Sequence, residues 1–212
     1  MKKGSIFWRA QLGHTWRTEE QGTDSFKVPT ALGPSRMKPL RGRAAEGRAN
    51  PKGIPVLYLA TTKETAAAEV RPWIGSYISV AQFETNHNLQ IVDCSHNQSD
   101  PSYYFRLPFE GTPKLSEEEI ENTVWSNIDK SFAKPVGRSD DIAAYVPTQI
   151  IAELFRSEGY DGLAYRSRFG DGGYNIALFD IDAAHLLNCQ LLLVDSVKIK
   201  LSIQDNHYFV TT

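Results

Sequence analysis

Apolar and polar residues follow two different spacings along the chain, which indicates that strands and helices are mixed. Short runs rich in β-branched and aromatic residues predict strands at residues 5–10, 55–60, 77–83, 89–93, 161–167 and 174–179, with strand-like stretches at 191–194 and 197–203. No apolar periodicity persists over residues 11–53, where Gly, Pro, Arg and Thr dominate. A gap of this length predicts a functional or partly disordered loop.

Capping motifs and apolar spacing predict the helices. Thr61 and Glu64 form a Thr-x-x-Glu capping box that opens a first helix, which Pro72 ends. Ser116 and Glu119 form a second box. It opens a helix with one apolar face that we expect to be buried, formed by Ile120, Val124, Ile128 and Phe132.

A third helix is expected from about Pro147 to Gly159, since proline suits the first turn and glycine the C-terminal cap. Its predicted buried stripe consists of Ile150, Ile151, Leu154 and Phe155. Because helices are mixed with mostly non-alternating strands, the sequence predicts the α+β class.

Composition limits the class of protein. A chain of 212 residues, 41% hydrophobic and 23% charged, suits one globular domain. The net charge of −2 argues against a uniformly basic nucleic-acid binder. Neither Cys94 and Cys189 nor the five histidines have metal-ligand spacing, so no metal is expected. No run approaches the ~18 apolar residues of a membrane span, and the short apolar start does not suit a signal peptide, which together favour a cytoplasmic protein.

Three residues before and within the first predicted helix could carry chemistry, and each has a plainer interpretation. Arg48 lies in a glycine-flanked loop and could bind a phosphate or carboxylate, or it could simply be solvated. Tyr58 is either a core tyrosine or an aromatic platform for a flat ring. Glu69 lies in the last helical turn, where the dipole disfavours an acid, and is either held in a cleft or paired with Arg71 at the surface.

The glycine-rich segment at residues 170–173 precedes a strand and not a helix, so it does not form a dinucleotide-binding loop. Ser167 and Asn175 flank this turn and could direct polar groups into a cleft, although Ser167 lacks a Gly-x-Ser-x-Gly elbow. The basic segment 37–52 is either a solvated loop or a site for an anion or nucleic acid.

The order and spacing of these residues resemble the RES domain family, which is named for an arginine, a glutamate and a serine. The resemblance rests on Gly47-Arg48-x-Asn50-Pro51-x-Gly53 with the strand to Ala60, on Glu64-Thr65-Ala66-x-x-Glu69, and on Gly159-Tyr-Asp-Gly162-x-x-Tyr165-x-Ser167 with Gly173-x-Asn175. The early Phe7-Trp8-Arg9 is similar to the family's opening strand. Similarity is weak between residues 93 and 142.

The resemblance implies an ADP-ribosyltransferase-like fold, a mixed split β-sheet with surrounding helices. It implies a toxin that cleaves the nicotinamide–ribose bond of NAD+, as a glycohydrolase or phosphorylase, with NAD+ as substrate and no cofactor. It assigns catalysis to Arg48, Glu69 and Ser167 and substrate binding to Tyr58, Asn175 and Arg9. A helix-turn-helix antitoxin is the expected partner, and a homo-oligomer stays open.

Two departures from the family pattern stand out. Ala49 replaces the aromatic residue that usually follows the motif arginine. The chain is also longer than the compact members, which predicts one domain over residues 1–212 with an insertion around 94–145 and an extension after 180. Two other functions stay open: an ADP-ribosyltransferase acting on a macromolecule, and a non-enzymatic nucleic-acid-binding module using segment 37–52.

Overall fold

A seven-stranded sheet forms the centre of the protein in the computed structural model, which describes residues 1–95, 116–135, 142–169, 172–199 and 201. Its strands are β1 (Ile6–Leu12), β4 (Leu57–Ala60), β5 (Tyr77–Thr85), β6 (Ile91–Asp93), β7 (Gly162–Arg166), β8 (Tyr174–Leu178) and β9 (Ala184–Leu193). Their order is β6-β7-β8-β4-β1-β5-β9, and all neighbours are antiparallel except β6 and β7. With helices flanking this mixed sheet, the predicted α+β class is confirmed.

The two remaining strands, β2 (Thr15–Gln21) and β3 (Asp24–Thr30), form a separate hairpin. The prediction of an irregular loop over residues 11–53 was therefore wrong for its first half. Nearly all positions of β2 and the first half of β3 are exposed. Strands that bury neither face lack the alternation by which a strand is recognised in a sequence.

Apolar side chains cover both faces of the main sheet. On one face, Leu59 and Ile176 are paired across β4 and β8 and pack in a cluster with Phe83 and the fully buried Met37. The residues that alternate with them point to the other face, where Ala60 packs beside Ala66 of a helix. Burial on both faces accounts for strands that read as nearly continuous apolar runs.

The helices are α1 (Pro34–Met37), α2 (Lys63–Glu69), α3 (Glu117–Ala133) and α4 (Val146–Ser157), with a 3-10 turn at Ile142–Tyr145. The predicted box at Ser116 and Glu119 caps α3. The box predicted at Thr61 was wrong by one residue, because Thr62 caps α2 by accepting from the backbone N–H of Thr65 at 3.1 Å. Gly159 follows α4 with φ +86°, which suits a glycine after a helix.

Two predicted apolar stripes are only partly buried. In α3, Phe132 is fully buried, whereas Ile120 and Val124 are each half exposed. In α4, Ile150 and Leu154 are exposed, and the buried residues are Thr148 and Ala152. The other two residues of the predicted stripe, Ile151 and Phe155, are partly buried against the core, so the helix is rotated only partly from the predicted face.

Some of the predicted segments lie outside the residues that the structure describes. The loop expected at residues 94–114 lies almost entirely outside the described residues, and residues 197–199 are described but form no strand. β9 pairs with β5 along its length as an edge strand of the main sheet. The interpretation of residues 94–145 as an insertion and of the chain after 180 as an extension stays a prediction.

Candidate active site

A cleft of about 220 Å³ opens between α2 and the middle of the sheet. Glu69 lines it from the end of α2, and Trp8, Tyr58, Tyr165 and Asn175 line it from four strands. Four of the six residues that sequence reasoning singled out line this cleft, which are Arg9, Tyr58, Glu69 and Asn175.

Glu69 accepts two side-chain hydrogen bonds on one carboxylate oxygen. Oε1 lies 2.5 Å from Nδ2 of Asn175 and 2.7 Å from Oγ of Ser167. Ser167 in turn accepts from the backbone N–H of Phe169 at 3.0 Å, which orients its hydroxyl. Two donors offset the unfavourable position of an acid at the carbonyl end of a helix. Glu69 is therefore partly buried and lines the cleft.

The loop that carries Arg48 is held by a network of hydrogen bonds. Asn50 is almost fully buried and donates to the carbonyl oxygens of Ala45 and Ile54 at 2.9 and 2.8 Å. Its Oδ1 accepts from the Tyr58 hydroxyl at 2.7 Å, and that hydroxyl accepts from the Ala49 N–H at 2.9 Å. Burial raises the pKa of Tyr58, so the hydroxyl stays a donor.

Close packing against Tyr58 also explains a glycine of this loop. A Cβ on Gly47 would lie 2.6 Å from the Tyr58 hydroxyl oxygen. Only glycine therefore allows the loop to approach the strand this closely. Tyr58 thus fixes the arginine loop through its hydroxyl, while its assignment as an aromatic platform stays a prediction.

Arg48 contacts Tyr165, which lines the cleft, but Arg48 is not itself among the residues that line the described cleft. Its Nη2 donates to the carbonyl oxygen of Lys134 at 2.7 Å, just after α3 ends, and its guanidinium lies 5.8 Å from the Tyr165 ring centroid. Burial raises the pKa of Tyr165 to about 12, opposed by the charge of Arg48. The Tyr165 ring therefore separates Arg48 from Glu69 and its two hydrogen-bond donors.

Arg9 occupies a gap between two strands. β1 and β4 pair only at Trp8 and Ala60, and one residue further Nη1 of Arg9 donates to the carbonyl oxygen of Tyr58 at 2.8 Å. The buried Nε of Arg9 has no partner among the described residues, and burial lowers the pKa of Arg9 to about 10. A buried donor without a partner costs free energy, so Arg9 is held at this position at some cost in stability.

Sequence reasoning missed two aromatic residues that line the cleft, Trp8 and Tyr165. Both stand in the motifs that carried the resemblance, yet only their pairing across the sheet brings them to the cleft.

The basic segment 37–52 is also more ordered than a solvated loop. Lys38 and Arg41 bind Asp182 with N–O distances of 3.1 and 2.9 Å, so two of its charges are used within the protein.

Two classes of feature are missing from the part of the chain that the structure describes. It holds no group of three or more His, Cys, Asp or Glu side chains arranged to ligate a metal ion. None of its helices has the length and apolar character that crossing a bilayer requires.

Comparison with known proteins identifies the family. The model of the RES domain matches residues 8–197. Among solved structures, the chain is similar to the M. tuberculosis MbcT–MbcA toxin–antitoxin complex, with a TM-score of 0.42 and 14% identity over 88% of this chain and 87% of that chain. No curated protein matches the sequence. Since the family model spans nearly the whole sequence, the chain belongs to the RES domain family.

Proposed function

We propose that this protein cleaves the bond between nicotinamide and ribose in NAD+. The observation that carries the proposal is the Glu69 carboxylate, held by Ser167 and Asn175 at the end of α2 and lining the cleft. Breaking a glycosidic bond develops positive charge on the ribose, and a fixed carboxylate stabilises that charge.

The proposed reaction balances without a general acid. The C1′–N bond breaks, and its electron pair leaves with the pyridine nitrogen, so that nicotinamide departs as a neutral molecule. An oxygen of water or inorganic phosphate forms the new bond to C1′, and the attacking group releases its proton to solvent. Glu69 stabilises the oxocarbenium ion, and Ser167 and Asn175 keep the carboxylate in place.

Two arginines supply charge for the diphosphate. Arg9 is among the residues that line the cleft, and Arg48 lies beside Tyr165, held by one hydrogen bond to Lys134. Guanidinium groups bind phosphate oxygens through paired donors. The rings of Tyr58 and Tyr165 offer electron-rich faces to the cationic nicotinamide.

In the cell, we propose that the reaction makes this protein a toxin that depletes NAD+ and that a helix-turn-helix antitoxin neutralises it. Membership of the RES domain family supports this role.

The decisive experiment incubates the purified protein with NAD+, with and without phosphate, and identifies products by NMR. We expect free nicotinamide with ADP-ribose, or with its 1-phosphate when phosphate attacks. Glu69→Gln should lower nicotinamide release by at least ~100-fold. The matched control is Glu64→Gln, an exposed acid on the same helix, which should react at the wild-type rate. Equal rates for wild type and Glu69→Gln would remove Glu69 from the reaction.

Incubation with NAD+ also distinguishes the proposed function from the two alternatives. With labelled NAD+ and cell extract, label on a protein or nucleic acid would indicate an ADP-ribosyltransferase. A nucleic-acid-binding module would bind without reaction, with an affinity that falls steeply as salt rises. The ion pairs of Lys38 and Arg41 with Asp182 count against that second function.

A further inference from the structure

Four residues from four adjacent strands form a row across the floor of the cleft. Trp8 pairs with Ala60, Ala60 with Asn175, and Asn175 with Tyr165. Residues paired in this way point to the same face of a sheet, and all four line the cleft. The row therefore has an aromatic ring at each end and two small side chains between them.

The reacting centre divides this row unequally. The Glu69 carboxylate contacts Asn175, which lies one strand from Tyr165 and two strands from Trp8. Since neighbouring strands lie about 4.8 Å apart, Tyr165 is about 5 Å from the Asn175 position along the row and Trp8 about 10 Å. A ring attached directly to the reacting ribose fits the side of Asn175 that carries Tyr165. A ring joined through a longer linker fits the side that carries Trp8.

The space between the reacting centre and Trp8 suits an anionic linker. Ala60 contributes only a methyl group to this stretch, and Ala66 of α2 packs beside it. Arg9 follows Trp8 in the sequence and is also among the residues that line the cleft. The positive charge of Arg9 therefore favours an anionic linker on this side of the cleft.

We propose that Trp8 stacks on the ring remote from the bond that breaks, and so makes the site selective for a dinucleotide over a mononucleotide. This inference rests on the proposed function and names the adenine of NAD+ as the ring bound. Stacking of a base on an indole recognises the flat ring without reading its edges. Trp8 is thus a binding residue remote from the reacting centre.

The test compares NAD+ with nicotinamide mononucleotide, which has the same scissile bond but no adenine. In Trp8→Ala, the ratio of kcat/KM for NAD+ to that for the mononucleotide should fall about tenfold, mainly through KM for NAD+. Trp8→Phe should keep most of the ratio. Trp73→Ala is the matched control, because that tryptophan is 76% exposed, and it should keep the wild-type ratio.

Trp8 also packs against a buried cluster that includes Ala10 and Val80, so the alanine variant could lose stability. Trp8→Leu retains apolar bulk and removes only the flat ring, and it should show the same tenfold fall. A ratio unchanged in both Trp8→Leu and Trp8→Ala would show that Trp8 serves packing alone and would overturn the inference.

Binding of ADP-ribose, measured by calorimetry, separates failure of this inference from failure of the proposed function. If the wild type binds ADP-ribose and Trp8→Leu binds it about tenfold more weakly, the ring site stands even when NAD+ is not cleaved. If NAD+ is cleaved and both proteins bind ADP-ribose equally, only the Trp8 inference fails. If the wild type neither cleaves NAD+ nor binds ADP-ribose, both fail.

Discussion

Asn175 donates its side-chain amide to Oε1 of Glu69 at 2.5 Å, although 106 positions separate the two residues in the sequence. Ser167 donates to the same oxygen, so among the described residues both hydrogen bonds to this carboxylate fall on Oε1. We assign Oε2 to the positive charge that develops on the ribose in the cleft. The three side chains act as one unit, in which two donors fix the orientation of one acid.

Removing these donors should slow the reaction without removing the acid. Ser167→Ala and Asn175→Ala should each lower kcat about 10- to 100-fold, because a misplaced carboxylate stabilises the transition state poorly. Since both donors act on one oxygen, the double variant should lose less than the product of the single effects. Rates of nicotinamide release under saturating NAD+ measure this, with exposed Asn188→Ala as the control. Effects that multiply would mean that the two donors act independently.

Arg48→Ala should weaken NAD+ and ADP-ribose binding to a similar extent, by about tenfold. Both ligands carry the diphosphate, and the positive charge of Arg48 favours binding of this anion at the site. Calorimetry with the unreactive ADP-ribose, and KM for NAD+, measure the two losses. Arg43→Ala removes an exposed arginine from the same loop and is the control. A loss confined to NAD+ would contradict the assignment to phosphate and place Arg48 near nicotinamide.

Tyr58→Phe should separate the hydroxyl of Tyr58 from its ring. The variant leaves Asn50 Oδ1 and the Ala49 N–H without their partner, a cost of about 1–3 kcal/mol, or a fall in Tm of roughly 2–12 °C. Thermal unfolding measures this against Tyr174→Phe, whose hydroxyl belongs to an exposed residue. An unchanged Tm would show that the loop is held without this hydroxyl.

Resemblance to the RES domain family selected Glu69, Ser167 and Asn175, because each lies within a motif that carries the resemblance. Trp8 and Tyr165 were not selected as site residues. Their meeting at one cleft depends on the register between four strands, which local spacing does not encode.

The limited information in local spacing also explains where the predicted fold was wrong. Ile150 and Leu154 are apolar yet exposed, while Thr148 and Ala152 are buried, because close approach to the sheet favoured small side chains on that face of α4. The hairpin at residues 15–30 buries so little that no apolar pattern marks it. Local patterns therefore predicted the presence of most elements better than the faces that they bury.

Gly173→Ala should disturb the position of the helix that carries the acid. A Cβ on Gly173 would overlap Oγ1 of Thr65, a buried residue of α2. We expect a loss of about 1–3 kcal/mol in the free energy of unfolding, and lower kcat in the folded protein because α2 must shift with Glu69. Gly33→Ala is the control, since that glycine has open space and φ −69°. Wild-type kcat and Tm in Gly173→Ala would contradict this close contact.

Arg9→Lys should make NAD+ binding depend on pH in a range where the wild type does not. Burial lowers the pKa of Arg9 to about 10, so the wild-type guanidinium keeps its charge at neutral pH. Lysine has a lower ordinary pKa than arginine, and the same burial would move it toward neutrality. Because a base loses its charge as pH rises through its pKa, KM for NAD+ should rise with pH in the variant. It should stay flat in the wild type from about pH 6 to about pH 9.

The control for this prediction is Arg17→Lys, on the exposed hairpin strand β2, which should follow the wild-type profile. The direction of the change distinguishes the proposed role of Arg9 from a structural one. If Arg9 served only to bridge β1 and β4 through the Tyr58 carbonyl, a neutral amine could still donate there, and KM would not vary with pH. If the cation itself binds the diphosphate, affinity falls as the amine loses its proton, and ADP-ribose binding falls with it. A flat profile for Arg9→Lys would therefore remove Arg9 from the phosphate site.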